Sequence, residues 1–180
     1  QLLNTDVLST IKKLRALQNK TGLIRSLGAK NRYGQKTTVY QFTQAYYQSF
    51  FEASLEYEEY TALHGQIASV LKEKYDDAAN DNIKEEIAPY LAAHSSESGD
   101  EELTEDMLLY AAENAKKYGS SELIKDYFEQ FKAINQNEEF DEGDIQQVNS
   151  FENLLKEVNL SSQNVNGGNG EGISESDASE

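Results

Sequence analysis

Apolar residues along most of the chain recur in steps of three and four, the spacing that places side chains on one face of an α-helix. The N-terminal part shows this spacing in four aliphatic residues: Leu3, Val7, Ile11 and Leu14. They predict a first helix over residues 2–18, ended by Gly22. Two polar residues can cap its start: Thr5 and Asp6. One or two further helical turns are expected over 23–28, and the stretch 29–36 (AKNRYGQK) is interpreted as a basic loop because it lacks apolar periodicity.

The longest periodic segment runs from residue 38 to about residue 75, and neither proline nor a cluster of turn residues interrupts it. Two rows of residues recur in steps of seven: Val39, Tyr46, Ala53, Tyr60 and Ile67 in one, and Phe50, Tyr57, His64 and Leu71 in the other. A heptad-like seam of this kind predicts a single helix, roughly 55 Å long at about 1.5 Å per residue. Phe50 and Tyr57 are predicted to be buried along it, so Phe50→Ala is expected to cost about 3–5 kcal/mol of stability.

The C-terminal half is predicted to contain shorter helices separated by capping residues and glycine. Residues 83–94 form one of them, in which Pro89 either marks a late start or introduces a kink. Three more are expected over 103–118, 122–134 and 144–158, and their candidate caps are Thr104, Ser120 or Ser121, and Asp144. The first two of these three are expected to pair as an antiparallel hairpin. From residue 161 onward the chain has almost nothing apolar to bury, which predicts disorder.

These elements predict an all-α fold, a bundle of five or six helices around one long helix over about 38–75, with a disordered C-terminal tail. The expected domain organisation is a basic amphipathic N-terminal helical segment and loop over 1–36, an acidic helical bundle over 37–160 and the tail over 161–180. Apolar residues make up only 38 % of the chain, which indicates that parts of it are thinly packed. No apolar run approaches the ~18 residues of a membrane-spanning helix.

Charge is distributed unevenly along the chain, whose formal net charge is −16. Residues 1–40 contain eight Lys or Arg against one acidic residue, a net charge of +7, whereas residues 41–180 contain eight against 31, a net charge of −23. The acidic part repels nucleic acid and anionic membranes at long range. We therefore expect the N-terminal segment to dock on the acidic body through its apolar stripe. The alternative is a separate basic arm that binds an anionic partner.

Patterns typical of catalysis or metal binding are absent from the sequence. The chain has no cysteine, which excludes thiolate catalysis, disulfides and cysteine metal sites. Its two histidines, His64 and His94, belong to no HExxH pattern, and Thr61 and Leu91 stand three residues before them in place of the glutamate of a di-iron bundle. The acidic loops lack the ligand spacing of an EF-hand. We expect no enzymatic activity, no cofactor and no metal site.

Aromatic and basic residues indicate where the chain could bind a partner. Residues 33–60 hold six of the 11 tyrosines and three of the seven phenylalanines, more than one buried stripe needs. The second stripe either packs internally or forms a binding face, because tyrosine is enriched at interfaces. The candidate interaction residues are Lys12, Lys13, Arg15, Arg32, Tyr33, Tyr47 and Phe51.

The sequence as a whole predicts a non-enzymatic protein-interaction protein: an adaptor, an assembly factor, or a surface-exposed binding protein or adhesin. The alternative is a factor associated with nucleic acid or with a basic protein, which uses the basic N-terminal arm or the acidic body. Another protein is the expected partner, and nucleic acid is the less favoured one. The chain begins at Gln1, so we expect a processed protein or a fragment. A cytoplasmic location and a secreted or cell-surface location, including a membrane tether through a processed C-terminus, both fit the sequence.

Overall fold

The computed structural model describes residues 6–135 and 141–166, and only the backbone of residues 161–166. Within these residues the chain forms seven helices and one two-stranded antiparallel sheet. The elements are α1 (Val7–Thr21), β1 (Ile24–Arg32), β2 (Gln35–Phe42), α2 (Ala45–Glu52), α3 (Tyr57–Asp76), α4 (Asp81–Ser98), α5 (Glu101–Lys117), α6 (Ser121–Ile134) and α7 (Glu142–Asn166). The described part is mostly helical, as the sequence predicts, but the two strands contradict a strictly all-α fold.

The chain divides into two compact units, Gln1–Met107 and Leu108–Glu180, and α5 contributes residues to both. Each unit has its own set of buried apolar side chains. In the first they are Ile24, Ala68, Leu71, Ile87, Ala88, Leu91, Ala92 and Met107. In the second they are Leu108, Ala111, Ala112, Ala115, Ile124, Phe131, Phe151 and Val158. The three domains expected over 1–36, 37–160 and 161–180 stay a prediction.

Helix α1 begins and ends at residues that the local sequence singles out. The Asp6 carboxylate accepts a hydrogen bond of 2.9 Å from the backbone N–H of Ser9, and Gly22 closes the helix with a φ of 66°. Asp6 and Gly22 are therefore confirmed as cap and terminator. No residue of α1 is buried, and the helix packs mainly against β1. Its apolar stripe is covered only in part, because Ile11 and Leu14 are half-buried whereas Val7 is 73 % exposed, and Leu3 lies outside the described residues.

Residues 24–42 form a β-hairpin, so the helical turns expected over 23–28 and the loop expected over 29–36 are wrong. Tyr33 and Gly34 make the turn, with φ values of 52° and 73°, and Arg32 pairs with Gln35 across it. Two positive φ values are typical of the type I′ turn, whose twist matches that of antiparallel strands. Five residues of β2 are of the β-branched and aromatic types that fit a pleated surface: Thr37, Thr38, Val39, Tyr40 and Phe42.

The single long helix predicted over 38–75 is also wrong, because that stretch contains the end of β2 and then two separate helices. After β2 the Thr43 N–H donates to the Leu23 carbonyl at 2.9 Å, which closes the base of the hairpin. Helix α2 ends at Glu52, and α3 starts after Glu56, whose backbone N–H donates to the Glu59 carboxylate at 3.3 Å. Residues spaced by seven repeat equally well on two short helices, so the seam did not require one continuous helix.

Helices α3 and α4 form an antiparallel pair that supplies most of the core of the first unit. Asn80 caps α4 by accepting a hydrogen bond of 3.2 Å from the Ile83 N–H. Pro89 lies in the interior of α4, so the late start at Pro89 is wrong. Near the end of α4, the buried Ser95 hydroxyl accepts a hydrogen bond of 2.9 Å from the Thr104 hydroxyl. Thr104 is therefore an interior residue of α5 and not its predicted cap.

The second unit shows which predicted caps of the later helices hold. Gly119 has a φ of 67° after α5, and the Ser120 hydroxyl caps α6 by accepting from the Leu123 N–H, as predicted. At the start of α7, Asp141 and Asp144 each accept a hydrogen bond of 2.9 Å from the other's backbone N–H, so Asp141 is the cap and Asp144 its partner. Helix α7 runs to Asn166, six residues into the predicted tail. The rest of that tail lies outside the described residues.

Candidate interaction surface

Helix α2 is rich in aromatic residues but buries none of its residues. Tyr46 is 61 % exposed and Phe50 is 59 % exposed. They are four residues apart, so they lie on the same face of the helix. Tyr57, at the start of α3, is 78 % exposed. The predicted burial of Phe50 and Tyr57 is therefore wrong. It assumed one continuous helix with a partner along its whole seam, whereas α2 packs mainly against β2 and α3 is a separate helix.

Phe42, at the end of β2, and three aromatic residues of α2 make up what we call the α2 aromatic surface: Phe42, Tyr46, Phe50 and Phe51. Tyr46 belongs to it through its spacing of four residues from Phe50. The ring of Phe51 stacks on that of Phe42 with centroids 5.9 Å apart, and it meets that of Phe50 edge-on at 5.6 Å. Tyr47, a half-buried candidate residue, packs its ring 4.7 Å from that of Tyr46. Mutual packing of this kind holds the rings in place while their outer faces stay in water.

The α2 aromatic surface belongs to a basic segment of the sequence. Residues 6–51 contain eight Lys or Arg and one acidic residue, Asp6, and the next acidic residue is Glu52. Three of the basic candidates, Lys12, Lys13 and Arg15, are exposed on α1. None of the three forms an ion pair with a described residue. Their charges are therefore not neutralised within the described residues.

Arg32 and Tyr33, the remaining two candidates, anchor the tip of the hairpin to α4. The Arg32 guanidinium pairs with the Glu86 carboxylate at 3.3 Å, and the Tyr33 N–H donates to the same carboxylate at 3.0 Å. The guanidinium carbon lies 5.1 Å from the centre of the Tyr33 ring and 5.2 Å from that of Tyr90. Hydrogen bonding with the hydroxyls of Tyr90 and Tyr33 raises the pKa of Arg32. The side chain of Arg32 and the backbone of Tyr33 therefore make their contacts within the first unit.

A cavity of about 340 Å³ opens beside this anchored tip, between the turn and the facing ends of α3 and α4. Its lining includes Gly34, Val70, Glu73, Lys74 and Ile83. The Lys74 ammonium lies 3.4 Å from the side-chain oxygen of Gln35, across the hairpin end of the cavity. The charged lining of the cavity consists of two acids, Glu73 and Asp77, and one base, Lys74, with no histidine, serine or threonine beside them, so the cavity indicates no particular chemistry.

The two histidines lie next to each other, which the sequence reasoning missed. His64 on α3 and His94 on α4 face each other with their Nδ1 atoms 3.2 Å apart, and both side chains are half-buried. Each is fifteen residues from position 79, in the turn between the two helices. In an antiparallel helix pair, residues equally far from the turn lie opposite each other. The equal distance of His64 and His94 from the turn is therefore a feature of the sequence that predicts their contact.

In residues 6–135 and 141–166 no three or more His, Asp or Glu side chains are grouped so that they could hold a metal ion. No helix of the described part is both long and apolar enough to cross a membrane. No protein-family model, no curated protein and no solved structure matches this chain.

Proposed function

We propose that this chain is a non-enzymatic protein-interaction protein, and that it binds an acidic segment with apolar anchor residues through the α2 aromatic surface. The observation that carries the proposal is the exposure of Tyr46 and Phe50 on a helix with no buried residue. An aromatic cluster that a folded chain leaves in water is typical of a binding site, because its burial is favourable only when a partner supplies the cover.

The size of the aromatic cluster is sufficient to anchor a partner. Covering about 100 Å² on each of Tyr46 and Phe50 would contribute roughly 5 kcal/mol at ~25 cal/mol per Å². Association itself costs at least ~4 kcal/mol, so further contacts are needed for tight binding. The edges of the Phe42 and Phe51 rings extend the same patch and supply part of them.

Charge complementarity favours an acidic partner. The eight basic residues and single acidic residue of the segment 6–51 attract carboxylates, and charged groups around an apolar centre mainly raise the rate and specificity of association. Among these basic residues, Lys12, Lys13 and Arg15 are exposed and form no ion pair with a described residue. We expect them to contribute in this way rather than to anchor the partner.

The arrangement of the rings favours protein over single-stranded nucleic acid. Nucleic-acid binding of this kind uses aromatic rings whose faces are open for bases to stack on. Here the Phe42 and Phe51 rings stack on each other with an interplanar angle of 25°, so each covers one face of the other. In addition, the net charge of −16 opposes the approach of a polyanion at long range.

Selection of peptides from a random display library on the full chain tests the proposal. We expect enrichment of peptides that combine Asp or Glu with Leu, Phe, Met or Trp, and we expect Tyr46→Ser/Phe50→Ser to abolish their binding. The matched control is Tyr118→Ser, which removes an equally accessible aromatic side chain (78 % exposed) from the second unit and should leave binding unchanged.

Three results would overturn the proposal. Selected peptides that bind the Tyr46→Ser/Phe50→Ser variant as well as the original chain would place the site elsewhere. Enrichment of Lys- and Arg-rich peptides would point to the acidic residues as the binding surface. Binding of an oligothymidylate probe with a steep dependence on salt, in the absence of peptide enrichment, would establish the nucleic-acid alternative.

A further inference from the structure

We propose that His64 and His94 form a two-histidine clamp for a zinc ion, which fastens α3 to α4. This departs from the expectation of no metal site, and it rests on the distance between two side chains that are thirty residues apart in the sequence. It is independent of the function proposed for the α2 aromatic surface.

The separation of the two nitrogens fits tetrahedral coordination. Two imidazole nitrogens, each 2.0–2.1 Å from a zinc ion, are about 3.3 Å apart at the tetrahedral angle. The Nδ1 atoms of His64 and His94 are 3.2 Å apart, so the two imidazoles share a hydrogen bond, and a zinc ion would take the place of the proton between them.

The surroundings hold both rings in place for this role. The Tyr60 ring packs on His64 with centroids 4.3 Å apart, and the two imidazole centroids are 4.8 Å apart. Glu97 lies three residues after His94 on α4 and is a hydrogen-bond partner of the Tyr60 hydroxyl, which helps to fix the ring that packs on His64.

The site has the character of an exchangeable clamp rather than of a permanent structural centre. Structural zinc sites use four protein ligands and catalytic ones use three. Here no third carboxylate or histidine of the described residues is grouped with the pair, so water completes the coordination. Because the two ligands come from different helices, the ion would stabilise the α3–α4 pair whenever zinc is available.

Calorimetric titration of the tag-free full chain with zinc tests the proposal, in excess Mg²⁺ so that the many surface carboxylates are occupied. We expect one saturable zinc site per chain and a higher melting temperature with zinc. His64→Asn and His94→Asn should each lower the affinity by at least about tenfold, because each removes half of the clamp. Glu58→Gln, which removes an exposed carboxylate from α3, is the control and should leave the affinity unchanged.

A spectroscopic measurement on the original chain needs no variant and covers the case in which the histidine variants fold poorly. Co²⁺ bound in place of zinc should give the intense visible absorption of a tetrahedral ion. Unchanged zinc affinity in His64→Asn/His94→Asn would overturn the proposal, as would a weak octahedral Co²⁺ spectrum from the original chain. Equal and small losses from the two single variants would show that each histidine binds zinc separately, and this would also overturn the clamp.

Discussion

Gly34 illustrates how a single residue can be specified by local and distant constraints at once. Its φ of 73° belongs to the left-handed region, which residues with a Cβ rarely adopt. An ideal Cβ at this position would also lie 2.7 Å from Cδ1 of Ile83 on α4. The turn residue therefore has two reasons to lack a side chain, one in its own backbone and one in the helix against which the hairpin packs.

Substitution of Gly34 should separate these two reasons. Gly34→Ala is expected to lower the free energy of unfolding more than Gly28→Ala does, by up to about 1 kcal/mol, because Gly28 has a similar φ of 79° but nothing within 4 Å. Urea denaturation measures both. Adding Ile83→Val to Gly34→Ala removes the contacted methyl group and should erase the difference. Equal losses in the two single variants would mean that the contact with Ile83 has no effect on stability.

Asp6 is a residue at which a cap becomes sensitive to pH. The carboxylate accepts hydrogen bonds from the Ser9 hydroxyl, which has the larger effect, and from the Ser9 N–H. Both lower the pKa of the carboxyl below its ordinary value of 3.8. A carboxyl whose pKa is lower in the folded state stabilises the fold above the unfolded value, and this contribution is lost as the pH falls through the folded pKa. We expect the protection of the Ser9 amide, which is the intrinsic exchange rate at the same pH divided by the observed rate, to fall at acid pH before that of the later turns of α1, as followed by NMR. Asp6→Asn, which still caps but does not titrate, should remove that pH dependence.

At the scale of elements, the contrast between α2 and α6 decides which aromatic residues stabilise the fold. Phe50 on α2 is 59 % exposed, whereas Phe131 on α6 is fully buried and packs its ring 5.5 Å from that of Phe151. A large side chain stabilises a folded chain by the area that it removes from water and by the cavity that its loss would leave. The two phenylalanines differ in both respects.

Alanine substitution should reveal this difference directly. Phe50→Ala is expected to lower the free energy of unfolding by less than about 1 kcal/mol, and Phe131→Ala to lower it by about 3–5 kcal/mol. Denaturation followed by circular dichroism measures both losses. A loss of 3 kcal/mol or more for Phe50→Ala would show that α2 is covered within the chain. That result would contradict the proposed binding surface.

The hairpin shows why some elements were predicted correctly and others were not. Asp6, Gly22, Gly119 and Ser120 act through bonds within a few residues of themselves, so their roles could be predicted from the sequence. The turn at Tyr33 puts a bulky residue at a positive φ, which local preference disfavours. The contact that fixes it comes from Glu86, 53 residues away. No local pattern contains that contact, so the sequence predicts helical turns, a loop and the start of a helix where the hairpin lies.

At the scale of the whole molecule, the net charge of −16 makes the chain sensitive to salt. Like charges repel one another in the folded state, and a screening length of about 10 Å at 0.1 M salt weakens that repulsion. We expect the melting temperature to rise by a few degrees between low and moderate sodium chloride, followed by calorimetry. A fall over the same range would instead mean that attraction between the basic N-terminal part and the acidic remainder dominates. In that case the docking expected from the charge distribution would regain support.

The sequence by itself determined that the described chain is mostly helical, where several helices begin and end, and that basic and acidic residues occupy different parts. These properties depend on the period of apolar residues and on bonds between near neighbours. Only the tertiary structure decided that residues 24–42 pair as strands, that α2 leaves Tyr46 and Phe50 in water, and that His64 meets His94. Each of these depends on which distant segment covers a residue. Burial is favourable for an apolar side chain whichever segment covers it, so the sequence pattern alone does not identify that segment.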